Sequence, residues 1–182
     1  MLFEYQLPLT SKRADVVLAG RHPKTGGPSY LVVELKQWSH AERFEDSDTL
    51  VRIEQYGERP VTHPVLQVRD YCDYMLDFTA VLADQPLTLA GVAYLHNATD
   101  SGVADLLDLT GDRLGSLFTG QRRSEFQDFL RTRFAQGQSG APYADALLSS
   151  RIAPSKQHLA LAAEEVQRRE MCVLRDEQRD AY

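Results

Sequence analysis

Asp15 and the triplet Glu34-Leu35-Lys36 sit at the ends of two otherwise apolar, β-branched runs. Side chains alternate along a strand, so Glu34 and Lys36 share a face and Leu35 takes the other. If Ala19 pairs with Tyr30 across a hairpin, the same register sets Asp15 opposite Glu34. Two carboxylates about 5 Å apart on neighbouring strands repel each other, and partial burial adds to the cost. Lys36 neutralises one of them; a divalent cation would neutralise both. Mg²⁺ takes carboxylate, carbonyl and water oxygens, and Asp15, Glu34 and the Leu35 carbonyl offer three such ligands. Lys36 would then stand beside a metal-bound water. Phosphodiester hydrolysis needs these parts: a metal, a deprotonated water and charge stabilisation of the transition state. A Glu-x-Lys at a strand end also fits an ordinary solvated ion pair. The upstream Asp15 on an apolar partner strand favours the site.

Gln67 and Tyr71, four residues apart, share a face of any helix that carries them. They read either as a polar pair aimed at the Asp15–Glu34 site or as a half-buried tyrosine beside an exposed glutamine. Lys12 and Arg13 lie close to Asp15 and suit phosphate contact. Gln37 and Trp38 follow Lys36; Trp38 would stack on a base or fill the core. Arg122, Arg123, Arg131 and Arg133 put basic charge on one predicted helix, by default its solvated face.

The elements that must position these residues follow from pattern. Phe3–Leu7, 15–19 and 30–36 read as strands, the last two joined through the turn-rich His22–Pro28. Their continuous apolar character predicts central strands covered on both faces. Residues 37–63 are polar and irregular, with a small strand pair near Leu50–Ile53. Pro64 occupies a helix start, and Val65, Val68, Cys72, Met75 and Leu76 form its apolar stripe. His63 is a helix-start residue. Leu87–Leu95 is a strand broken by Gly91, Ala104–Leu109 a short helix, and Phe126, Phe129, Leu130 and Phe134 mark another helix. Gln136–Ala141 is a loop, and 155–182 is highly charged and helical. No stop signal closes that last segment, so it reads either as a frayed native end or as a piece of a longer chain.

The 182 residues suggest one domain with a helical appendage. Net charge is −6, which excludes a basic coat and confines nucleic-acid binding to a local groove. Two distant cysteines form no disulfide scaffold and fit a reducing, cytoplasmic setting. No run approaches the roughly 18 apolar residues of a membrane span. The five histidines lack metal-ligand spacing, and no G-x-S-x-G elbow supports nucleophilic serine chemistry.

Asp15, Glu34-Leu35-Lys36 and Gln67-Val68-Arg69-Asp70-Tyr71 resemble the PD-(D/E)XK nuclease superfamily, and the Gln-x-x-x-Tyr helix its RecB-like branch. The resemblance implies an α/β, restriction-endonuclease-like αβββαβ core. It implies Asp15 and Glu34 as Mg²⁺ or Mn²⁺ ligands, Lys36 as catalytic lysine, and Gln67 and Tyr71 as supporting site residues. Ala14 stands where the name-giving proline would, a variable position. A longer resemblance covers nearly the whole chain. Glu4-Tyr5-Gln6-Leu7-Pro8, Arg13-Ala14-Asp15, Val33–Trp38, His63-Pro64, Ala93–Asn97, Ala153–Lys156 and Asp176-Glu177-Gln178 look like the region before the ATPase in bacterial nuclease–helicase fusions with a Schlafen-type helicase domain. That likeness implies Glu4 as a further site carboxylate, against a surface strand acid. It also implies a nuclease-like domain over 1–135 and a helical linker over 136–182 leading toward a helicase. Two departures stand out. No G-x-x-x-x-G-K-[ST] is present, so ATP hydrolysis by that route is excluded. Only Met1 and Leu2 precede Phe3, where the family has a helix. The expectation is metal-dependent cleavage of DNA, with RNA as the alternative substrate, in repair or phage defence. The alternatives are a catalytically inactive nucleic-acid-binding module or an assembly module of a helicase.

Overall fold

The computed structural model describes residues 1–45, 47–53, 57, 59–109, 111–154, 159–160 and 163–164. A five-stranded mixed sheet with helices on both faces forms its centre. Strands β1 (Leu2–Gln6), β2 (Arg13–Arg21) and β3 (Pro28–Lys36) run antiparallel in sequence. β3 then pairs in parallel with a later strand, Leu89–Leu95, which pairs in parallel with Ser116–Thr119. A parallel return needs a long crossover. Here it contains a small antiparallel sheet, β4 (Glu42–Arg43), β5 (Leu50–Arg52) and β6 (Val61–Thr62), followed by helix α1 (Pro64–Phe78). Helix α2 (Ala80–Ala83), β7 (Leu89–Leu95), α3 (Ala104–Leu107), β8 (Ser116–Thr119), α4 (Arg123–Arg133) and α5 (Ala141–Leu148) complete the order.

The β2–β3 hairpin has the expected register, with Ala19 paired to Tyr30 and the ladder running down to Val16–Val33. Its turn closes because Gly26 adopts φ +70°, which places its N–H on the His22 carbonyl at 2.9 Å. β3 is the central strand, and all residues from Ser29 to Glu34 are buried.

Alternation along β3 sorts its side chains to two layers. Tyr30 and Val32 join Val68, Cys72 and Met75 of α1 and Leu147 of α5. Leu31 and Val33 join Val92 and the aromatic face of α4, where Tyr94 stacks on Phe126 with centroids 4.5 Å apart. Gly91 lets α1 approach β7: a Cβ there would lie 2.8 Å from Cys72 Sγ and 2.1 Å from the Leu114 carbonyl oxygen. Burial pushes the Cys72 thiol far above its ordinary range, so it behaves as a packing group.

α1 starts at Pro64 as expected, and His63 caps it: Nδ1 accepts from the Val65 N–H at 3.2 Å while Nε2 faces the Leu106 carbonyl at 3.3 Å. Four of the five expected stripe residues are buried; Leu76 is only partly so. β8 and α5 are too short to show a period and were not anticipated. α5, inside the segment expected as a linker, packs against the central sheet. Its Ala144 and Leu147 are buried, and Tyr30 Oη donates to the Tyr143 carbonyl at 3.2 Å, so the main body includes α5. Of the expected C-terminal helix 155–182, all but residues 159–160 and 163–164 lie outside the described residues. No helix among those described is long and apolar enough to cross a membrane.

Candidate active site

The site forms where β2 and β3 part company. The backbone ladder ends at Val16–Val33, and the side chain of Asp15 replaces the next rung: its Oδ2 accepts the Leu35 N–H at 2.8 Å. This ties the Asp15 carboxylate to the Glu34-Leu35-Lys36 segment. One residue earlier, Glu34 turns toward α1. It is 3% exposed, in a strand whose neighbours are apolar.

Glu34 Oε1 accepts two short hydrogen bonds, from Lys36 Nζ at 2.7 Å and from Gln67 Nε2 at 2.7 Å. The same Gln67 nitrogen donates its other hydrogen to Tyr71 Oη at 2.9 Å. The Gln-x-x-x-Tyr pair is therefore aimed at the acid, as one of the two sequence readings expected. Helical spacing puts both on the face of α1 that crosses the end of β3. Lys36 is 18% exposed, and its ammonium lies 5.4 Å from the centroid of Trp38.

Glu34 Oε2 is buried and has no hydrogen-bond partner among the described residues. Desolvation pushes the Glu34 carboxyl above its usual range; Lys36 opposes that shift, and the nearby Asp15 charge adds to it. An orphaned, desolvated carboxylate oxygen beside a second carboxylate is an arrangement that a cation relieves. The donors are hard oxygens, which suit Mg²⁺ or Mn²⁺. Asp15, Glu34 and the Leu35 carbonyl would hold such an ion.

Other expected site residues are placed differently. Glu4 adopts φ +47° between the paired Phe3–Val16 and Tyr5–Ala14, and it is exposed. The structure does not gather it with Asp15 and Glu34; no group of three or more His, Cys, Asp or Glu side chains able to hold a metal occurs among the described residues. Trp38 is 2% exposed, packed with Val51, Ile53, Ala93 and Leu95, so the core reading holds and its ring is not open to a base. Lys12 and Arg13 are exposed at the start of β2, and Gln37 is exposed with its carbonyl accepting from Asn97 Nδ2 at 3.2 Å. The Leu35 side chain is 41% exposed rather than buried in the opposite layer. On the basic helix, Arg122 pairs with Asp100 at 2.8 Å, Arg131 with Asp128 at 2.5 Å, and Arg133 donates to the Thr88 carbonyl at 3.0 Å. Those three bind the protein itself. The contact of Lys36 with Trp38 was not read from the sequence, although Trp38 follows Lys36 by two residues, just past the end of β3.

Comparisons with protein-family models, with curated proteins and with solved structures gave no match.

Proposed function

We propose that this chain is a metal-dependent nuclease domain of restriction-endonuclease-like fold that hydrolyses phosphodiester bonds of DNA. The reading rests on one observation: a buried Glu34 with an orphaned oxygen, bonded to Lys36 and Gln67 and adjacent to Asp15. It is also supported by the sequence likeness of Asp15, Glu34-Leu35-Lys36, Gln67 and Tyr71 to the PD-(D/E)XK nucleases, RecB-like branch. A bound Mg²⁺ or Mn²⁺ would polarise the phosphate and lower the pKa of a coordinated water. Asp15 and Glu34 supply the negative charge that retains the ion. Lys36 supplies the cation that orients the nucleophilic water and offsets charge building on the phosphate. Gln67 holds Glu34 in one rotamer, and Tyr71 holds Gln67, so the acid need not reorganise. Exposed Lys12 and Arg13 would contact the DNA backbone, giving cleavage a salt dependence. In this reading the domain serves a fused or associated helicase in repair or phage defence.

The test is cleavage of plasmid and single-stranded DNA with Mn²⁺ by the wild type and by Asp15→Ala, Glu34→Ala and Lys36→Ala, with folding followed by circular dichroism. Each variant should remain folded and lose cleavage. A Lys36→Ala protein that cuts at the wild-type rate overturns the mechanism. A second reading, a catalytically inactive nucleic-acid-binding module, is favoured by the absence of a third convergent acid among the described residues. It predicts no heat of Mn²⁺ or Mg²⁺ binding, with or without DNA, and retained DNA affinity.

A further inference from the structure

Trp38 has two features that core filling alone does not account for. Its indole N–H is buried without a partner among the described residues, which costs stability that a phenylalanine in the same place would avoid. Its ring also has the Lys36 ammonium 5.4 Å from the centroid, within cation–π range. Among the described residues that ammonium has one other anchor, Glu34 Oε1 at 2.7 Å. A lysine reaches Glu34 along a flexible four-carbon stem and would otherwise sample many rotamers. An indole has the most negative face of the aromatic side chains and attracts a cation more strongly than a phenyl ring does. Trp38 follows Lys36 by two residues, just past the end of β3.

We propose that Trp38 is the positioning residue of this site: its ring face holds the Lys36 ammonium against Glu34, before and during catalysis. Trp38 contacts no substrate in this arrangement; it acts through Lys36. The catalytic consequence rests on the nuclease reading above, whereas the contact itself does not.

Trp38 is the only tryptophan of the chain, so biosynthetic replacement by mono-, di- and trifluorotryptophan labels this position alone. Fluorine drains the ring face of negative charge while leaving its shape nearly unchanged. Two readouts follow. In the metal-free protein, Lys36→Met should move the ¹⁹F resonance of the labelled ring. In cleavage assays with saturating Mn²⁺, kcat should fall stepwise with fluorination, reaching about tenfold, with KM unchanged. Thermal unfolding of the fluorinated proteins should stay close to that of the wild type. A resonance unmoved by Lys36→Met overturns the contact, and a kcat flat across the series overturns the positioning role. If no protein in the series cleaves DNA while the resonance does move, the contact stands and the nuclease reading falls.

Discussion

Lys36→Met removes the ammonium from a carboxylate that cannot reach water. Glu34 is 3% exposed and Lys36 18% exposed, 2.7 Å apart, so most of the pair is desolvated. Breaking a fully buried pair by deleting one partner costs roughly 3–5 kcal/mol, because the other charge stays buried. The partial exposure of Lys36 and the surviving Gln67 bond to Glu34 at 2.7 Å lower that to about 2–4 kcal/mol at pH 7.5. In a body of this size that is a fall in Tm of roughly 5–15 °C. The penalty should depend on pH. Burial raises the folded-state pKa of Glu34 above its ordinary value of 4.5, and Lys36 is what restrains the rise. A raised carboxylate contributes stability that is full below the unfolded value and is lost as pH rises through the folded one. Without Lys36 the folded value climbs further, so the variant takes up a proton at higher pH and recovers stability on acidification. The assay is urea denaturation of wild type and variant at pH 7.5 and pH 5. The gap should narrow at pH 5, and Glu34→Gln/Lys36→Met should recover most of the loss at pH 7.5. A Lys36→Met protein within about 0.5 kcal/mol of wild type at both pH values would refute the picture of a buried charge that depends on its lysine.

Three further outcomes are expected. Gln67→Leu should reduce cleavage about 10–100-fold, as loss of a group that orients a ligand does, while Tyr71→Phe, which leaves the Gln67–Glu34 bond, should have the smaller effect; single-turnover kinetics with Mn²⁺ measure both. Burial holds the His63 imidazole below its ordinary 6.5, so the fold loses stability as pH falls from about 6.5 toward that lower value. His63→Asn should flatten this part of the pH–stability curve in thermal scans, because asparagine can still cap α1 without taking up a proton. Gly91→Ala should lose several kcal/mol or fail to yield folded protein, since its Cβ would meet the Leu114 carbonyl at 2.1 Å, a backbone atom that cannot step aside; far-ultraviolet circular dichroism and solubility report it.

Much of this architecture was legible in the chain. Continuous apolar runs at 16–19 and 30–33 identify inner strands because a strand covered on both faces has no polar side. Pro64 after His63, with Val65, Val68, Cys72 and Met75 at helical spacing, identifies α1. β8 and α5 stayed hidden because four and eight residues are too few to display a period, and tertiary packing rather than local propensity stabilises them.

For the site, the sequence alone determined which groups are present and which faces they share: Glu34 with Lys36 by strand alternation, and Gln67 with Tyr71 by the helical repeat. These are short-range consequences of backbone geometry, so they follow from spacing. What only the tertiary structure decided is convergence. The ladder ends at Val16–Val33 with Asp15 reaching the Leu35 N–H, α1 crosses the end of β3 so that Gln67 reaches Glu34, and Trp38 closes in on Lys36. Glu4, by contrast, stays outside on a strand with a left-handed φ. Each of these depends on where a chain segment far away in sequence comes to rest, which is set by the packing of the whole core and has no local signature.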